Sequence, residues 1–182
     1  MAVYRPYKMR GDVVSPRKIS DIRTIANKTR DILGLQVGDT NTWHLLDKLS
    51  AHYGVHYDVI EDHQMPHHHA EACCIPDQAM IYLPEKSVSA IDRGDPRVRF
   101  TVHHEIGHFV LGHTKSYARS NHVPAAYIDS EWQADRFAAE FLMPYDVIVA
   151  EQLRTPAQVR QRCGVSLEAA SYRLNSILQG SR

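Results

Sequence analysis

Cysteine is scarce in this chain of 182 residues, with three in all, and two of them, Cys73 and Cys74, are adjacent. An odd count without framework spacing argues against a disulfide scaffold and for free thiols in a reducing compartment, so a cytoplasmic location is expected. Long apolar runs are missing as well. No stretch approaches the roughly 18 to 20 apolar residues that cross a bilayer, and the first ten residues carry basic side chains but no apolar segment before a cleavage site. No membrane association and no signal peptide are therefore expected. Net charge is absent too, at 21 basic against 21 acidic residues. That excludes a whole-protein basic field of the kind that drives tight binding to nucleic-acid phosphates. Repeats and low-complexity linkers are lacking, and the length suits one domain, 1–182, with one sizeable core.

What is present is unevenly placed. Residues 1–30 and 151–182 are basic, at +6 and +3, whereas residues 31–150 carry −9. Histidine is abundant at 12, which raises the question of metal. After a start expected to be irregular over 1–18, the apolar spacing of Ile22, Ile25, Ala26, Ile32 and Leu33 predicts a helix over 19–33, stopped by Gly34. Asn41 is a natural N-cap for a second helix, with Trp43, Leu45, Leu46 and Leu49, that ends at Gly54. The period then changes to alternation at Val55, Tyr57 and Val59, with further strands at 72–75 and 79–83, which predicts a short meander. Asp95-Pro96 opens a helix that runs to about Gly112, and another spans 130–143, ended by Pro144. The expected class is α+β, with helices around a small, mostly antiparallel sheet and a C-terminal helix pair.

The chemistry falls on the two central helices. His104-Glu105-Ile106-Gly107-His108 is an HExxH motif. A helix turns about 400° in four residues, so both imidazoles project from one face and reach one ion. Glu105 is offset by about 100°, near the ion's water without being a ligand, as a general base requires. A zinc site still needs a third protein ligand and an open position. In Glu131-Trp132-Gln133-Ala134-Asp135 the two carboxylates again lie four apart. Glu131 would complete a two-histidine, one-glutamate site, and Asp135 is placed to accept the second ring N–H of a ligating histidine. HExxH alone arises by chance in roughly 3% of chains of this composition, but the pair of motifs in only a few per thousand. The longer HExxHxxGxxH arrangement is excluded, because Leu111 and Thr114 stand where it needs glycine and histidine. His113 lies on a different face and is expected at a helix C-cap.

At these residues the chain resembles the ImmA/IrrE family of metallo-endopeptidases. The likeness rests on His104-Glu-Ile-Gly-His-Phe-Val-Leu-Gly-His113 and on Glu131-Trp-Gln-Ala-Asp-Arg-Phe-Ala-Ala-Glu-Phe-Leu-Met-Pro144, the second following the family's ExxA(N/D)xFAAxLLMP pattern almost throughout. The resemblance implies a zincin-like fold, Zn2+ held by His104, His108 and Glu131, Glu105 as acid/base, and Asp135 at the pattern's Asn/Asp position. It also implies a bacterial or phage setting and, as substrate, a helix-turn-helix transcriptional repressor made by a neighbouring gene. Neither the large C-terminal extension nor the N-terminal repressor domain that some relatives carry is expected from these residues.

Several features stay open in the sequence. A donor for the reacting oxyanion is sought among His122, Tyr127 and Tyr145. Strand 79–83 offers a sheet edge for an extended substrate, or a plain core strand. His63 and His67-His68-His69 read as a solvated loop rather than a second ion site. Thr155-Pro156-Ala157-Gln158 is a capping box, and Gly164-Val165-Ser166 separates it from a helix with Leu167, Ala170, Leu174 and Ile177 inward. This helix-turn-helix-like tail, 153–178, suits packing or partner docking, with direct nucleic-acid contact through Arg160, Arg162 and Arg173 as the lesser reading. Cys73, Cys74 and Cys163 read as core thiols. The function expected is zinc-dependent hydrolysis of a specific protein. The alternative is a zinc-stabilised regulatory module, such as a toxin–antitoxin partner, that binds without cutting.

Overall fold

The computed structural model describes residues 7–66, 70–113 and 125–180. His67 to His69, Thr114 and His122 lie outside them. Residues 7–18 form an irregular strap whose one β-bridge joins Val13 to Asp129. Two helices follow, α1 (Ile19–Ile32) and α2 (Thr42–Tyr53). Asn41 accepts the His44 amide at 3.0 Å as the α2 N-cap. Gly54, at φ 66°, closes that helix in the left-handed conformation that favours glycine.

The sheet has three strands, β1 (His56–Ile60), β2 (Cys73–Ile75) and β3 (Met80–Pro84). It is mixed rather than a meander. β3 lies in the centre, parallel to β1 with His56 opposite Met80, and antiparallel to β2 with Cys74 opposite Ile81. The excursion over residues 61–79 lets β3 return in the direction of β1. Ile81 and Leu83 are fully buried, while Val59 of β1 is exposed and β2 has only three residues. The most apolar strand therefore takes the middle, and the edge role considered for 79–83 falls instead to β2 on the side of the metal helix.

α3 (Glu85–Asp92), which the sequence pattern does not announce, turns Ser87 and Ile91 inward at a four-residue spacing. α4 (Pro96–Val110) begins where Asp95 accepts the Arg97 and Val98 amides, and α5 (Ser130–Leu142) where Asp129 accepts the Glu131 amide. α6 (Tyr145–Ala150), α7 (Pro156–Cys163) and α8 (Leu167–Gly180) complete the described chain, so helices dominate an α+β fold. Among the described residues no helix is long and apolar enough to cross a membrane.

Two apolar cores hold these elements. The larger joins Ile22, Leu46, Ile81, Val102, Ile106 and Phe137. The smaller seats Val159, Cys163, Val165 and Ala170 of the tail on Leu142 and Met143. Leu167, expected inward, begins α8 half exposed. Between the cores Glu140, with no exposed surface, takes Arg23 of α1 at 3.2 Å and Arg173 of α8 at 2.5 Å. A buried carboxylate is tolerated only when paired in this way. Arg99 of α4 also reaches the tail, donating to the Gly164 carbonyl.

α4 and α5 meet at Gly107. A Cβ there would lie 3.1 Å from the Phe137 ring and 3.2 Å from both Cα and the carbonyl oxygen of Ala134. Main chain cannot yield as a flexible side chain does, so Gly107→Val should force the helices apart. Overpacking of this kind costs about 1–3 kcal/mol. A lowered urea midpoint with an unchanged slope is the expected result, and an unchanged midpoint would show that the contact has slack.

Candidate metal centre

The crossing at Gly107 sets the site. His104 lies nearly one turn before Gly107 on α4 and Glu131 nearly one turn before Ala134 on α5, so their side chains converge beside the contact. His104 Nε2 lies 3.2 Å from Glu131 Oε2, His108 Nε2 lies 3.3 Å from Glu131 Oε1, and the two Nε2 atoms are 3.1 Å apart. Ligands about 2.0–2.1 Å from a tetrahedral ion stand about 3.3 Å from one another. The two imidazoles each face one oxygen of the same carboxylate, and one ligand atom from each of the three residues lies within 4.8 Å of the others, a donor set that suits zinc. Among the described residues no other cluster of three histidine, cysteine, aspartate or glutamate side chains comes together in this way.

The surroundings tune these groups. Burial alone would depress His104, but its hydrogen bonds to Asp135 and Glu131 outweigh that and hold it up at about 9. The imidazoles of His104 and His108 beside it drive Glu131 far below the usual carboxylate range. Asp135 accepts His104 Nδ1 at 2.8 Å and Arg10 at 2.7 Å, and these partners hold it low against its burial. Asp135 therefore stands where the sequence spacing places it, behind His104. Glu105 lies near the three donors but is bonded elsewhere. Its Oε2 accepts the Cys74 amide of β2 at 2.7 Å, and burial raises its pKa against the pull of that amide and the nearby imidazoles. A cleft of about 400 Å³ opens beside the clamp, lined by Arg10, Asp12, His108, His113 and Glu131 among others.

Some participants escape sequence reasoning. Cys73 and Cys74 are half-buried on β2, Cys74 packed against the larger core, and the Cys74 main chain holds the candidate base. Burial, with Glu105 nearby, pushes the Cys74 thiol up to about 12. His113 does cap α4, its amide donating to the His108 carbonyl at 2.9 Å, but its ring also approaches His108 Nδ1 at 3.1 Å. Gln133, buried completely, stands behind His113 at 3.1 Å. The only local signal was a histidine after Gly112, and nothing in sequence paired it with Gln133. Of the oxyanion candidates, Tyr127 is exposed and Tyr145 stacks under Arg23 with 3.9 Å from guanidinium carbon to ring centre.

Fold and site together place an HExxH motif and a glutamate of the neighbouring helix in a cluster that could hold a metal ion. Residues 92–175 match the Peptidase_M78 family, described as the IrrE N-terminal-like domain, a stretch that includes both clamp helices and most of the tail. That stretch, a little under half of the chain, is similar to this metallopeptidase family. No curated protein matches it. Among solved structures, a Mycobacterium tuberculosis transcriptional regulator is similar in fold, with a TM-score of 0.55 at 18% identity over 84% of this chain. The aligned part is 46% of that regulator, so the present chain spans about half its length.

The raised value at His104 fixes the sign of a pH effect. Its Nε2 must lose a proton before it can ligate, while Nδ1–H stays on Asp135. Zinc affinity should therefore rise about tenfold per pH unit from 6.5 toward 9, with one proton released per ion bound. The metal-free protein should show the reverse, because stabilisation from protonated His104 is complete below its ordinary value of 6.5 and is lost as pH rises through about 9. Titration calorimetry in buffers of different ionisation enthalpy reads the proton count. A count of zero at pH 7 would contradict this assignment. Asp135→Ala should weaken zinc about 10 to 100-fold by releasing the His104 ring, and chelator competition measures it.

Proposed function

We propose that this chain is a zinc-dependent endopeptidase acting on a specific protein, a helix-turn-helix transcriptional repressor. The observation that carries the reading is the separation of roles at the centre. Three donors converge with a position left open, and a fourth group, Glu105, lies beside them on a different partner. A purely structural zinc needs no such base and is normally closed by a fourth ligand.

When bound, the ion would polarise the scissile carbonyl and acidify a water in the open position. His104, His108 and Glu131 would hold it, and Asp135 keeps His104 in the tautomer that presents Nε2. Glu105 takes the water's proton as oxygen adds to the carbonyl carbon. As the carbon–nitrogen bond breaks, Glu105 gives that proton to the departing amine. The raised pKa of Glu105, caused chiefly by its burial, suits a carboxylate that must hold a proton between these steps. The Cys74 amide holds one oxygen of that carboxylate in place.

The substrate rests on the family resemblance and on charge. The acidic span 31–150, at −9, complements a basic DNA-binding protein. Docking away from the cleft would restrict cleavage to one extended segment, so random peptides are expected to be poor substrates. Cytoplasmic placement and a role in transcription regulation belong to the same proposal.

Glu105→Gln should keep zinc and fold while lowering the cleavage rate about 10²–10⁴-fold, the range for loss of a positioned acid/base. Co-expression with the repressor encoded next door, followed by mass spectrometry of the products, is the measurement. Cleavage by Glu105→Gln at the wild-type rate would remove Glu105 from its role. A stable complex that is never cut would favour the binding module instead.

A further inference from the structure

Both clamp imidazoles are held from behind, and both supports lead to the strap. On one side, Arg10 donates to Asp135 Oδ2 at 2.7 Å while Asp135 Oδ1 takes His104 Nδ1 at 2.8 Å. On the other, Gln133 Nε2 donates to the carbonyls of Ser15 at 2.9 Å and Tyr127 at 2.8 Å. Its Oε1 meets His113 Nε2 at 3.1 Å, and His113 Nδ1 meets His108 Nδ1 at 3.1 Å. The strap itself is anchored beside α5, with the Arg10 and Gly11 amides donating to Asp129, the Asp12 amide to Ser130 Oγ, and the Val14 amide to the Ile128 carbonyl.

The proton placement along this chain follows from the two carbonyls. They only accept, so the Gln133 nitrogen must face them and its oxygen must face His113. That oxygen also only accepts, so His113 carries its proton on Nε2 and presents a lone pair at Nδ1. His108 then donates from Nδ1, which leaves its Nε2 lone pair pointing at Glu131 and His104. Gln133 is fully buried with both amide protons and its oxygen satisfied, and His113 is 7% exposed. Apolar residues would fill that space more simply if packing were the sole need.

We propose that His113 and Gln133 are positioning residues that select the ligating tautomer of His108, and that the strap anchors them as it anchors Asp135 behind His104. This rests on the metal-clamp reading above but not on peptide hydrolysis. The strap, a hundred residues distant in sequence, thereby becomes part of the metal centre, and ion binding and strap closure support one another.

Two variants separate positioning from packing. His113→Phe keeps ring volume but offers His108 no acceptor, whereas His113→Gln supplies an oxygen for His108 and an amide donor for Gln133. Zinc affinity by chelator competition should fall about 10 to 100-fold in His113→Phe and stay close to wild type in His113→Gln. Long-range 1H–15N imidazole spectra of the metal-free protein should show His108 protonated at Nδ1 in the wild type and in His113→Gln, and a tautomer mixture in His113→Phe. Unchanged affinity in His113→Phe, or equal losses in both variants, would overturn the proposal. For the strap, zinc should slow hydrogen exchange of the Val14 and Arg17 amides in the wild type and not in Gln133→Leu; equal slowing in both would remove the strap from the network. A wild-type protein that holds zinc yet cleaves nothing would end the endopeptidase reading and leave these measurements valid, whereas one that binds no zinc would end both.

Discussion

The main-chain contact between α4 and α5 at Gly107 and Ala134 is the constraint from which the centre follows. Side chains as large as valine at position 107 would separate the helices, and helices packed through larger residues sit some 8–10 Å apart. At the closer distance, residues nearly one turn before the contact on each helix, His104 and Glu131, arrive together, and His108 follows directly after Gly107. The phenylalanine that covers the contact, Phe137, is also a buried member of the larger core. The same residues therefore stabilise the domain and set the spacing of the donors, so the clamp inherits the rigidity of the core.

α5 organises more than the clamp. Its first turns carry Glu131, Gln133 and Asp135, which face the metal helix and the strap. Its last turns carry Glu140, whose buried carboxylate binds Arg23 of α1 and Arg173 of α8. Nearby, Arg30 donates to the Phe141 carbonyl at 2.8 Å. One helix thus ties the strap, the metal helix, the first helix and the tail to a common frame. The tail helices are consequently part of the fold: of the arginines considered for nucleic-acid contact, Arg173 is consumed by Glu140, and Arg162 binds Glu151 and the Val37 carbonyl.

The electrostatics of the centre also depend on neighbours rather than on composition. Three carboxylates and two imidazoles share a small volume, yet they are pushed in opposite directions. Glu131 and Asp135 accept from imidazoles and are held ionised, whereas Glu105 has a single amide partner and is raised by burial. Identical side-chain chemistry is sorted into prospective ligand, support and base by what each carboxylate touches.

Much of this was legible in the residues because it is local. Four-residue spacing on a helix places His104 beside His108 and Glu131 beside Asp135, and the caps at Asn41, Asp95 and Thr155 work over three residues, so they are found where the sequence places them. Glu105 could be singled out for the same reason, through its offset around the helix. The sheet could not, because parallel pairing of β1 with β3 is a choice between strands separated by the whole 61–79 excursion, and alternation marks a strand without naming its partner. Nor could the support of His108. Gln133 and His113 lie 20 residues apart and Ser15 lies 118 from Gln133, and no period links them. Sequence alone singled out the side chains that meet at the centre, since helical repeat and side-chain type suffice for that. Which partner stands behind each clamp imidazole, and that an irregular N-terminal strap meets both supports, was decided only when burial drew distant polar groups together and favoured those arrangements in which they hydrogen-bond one another.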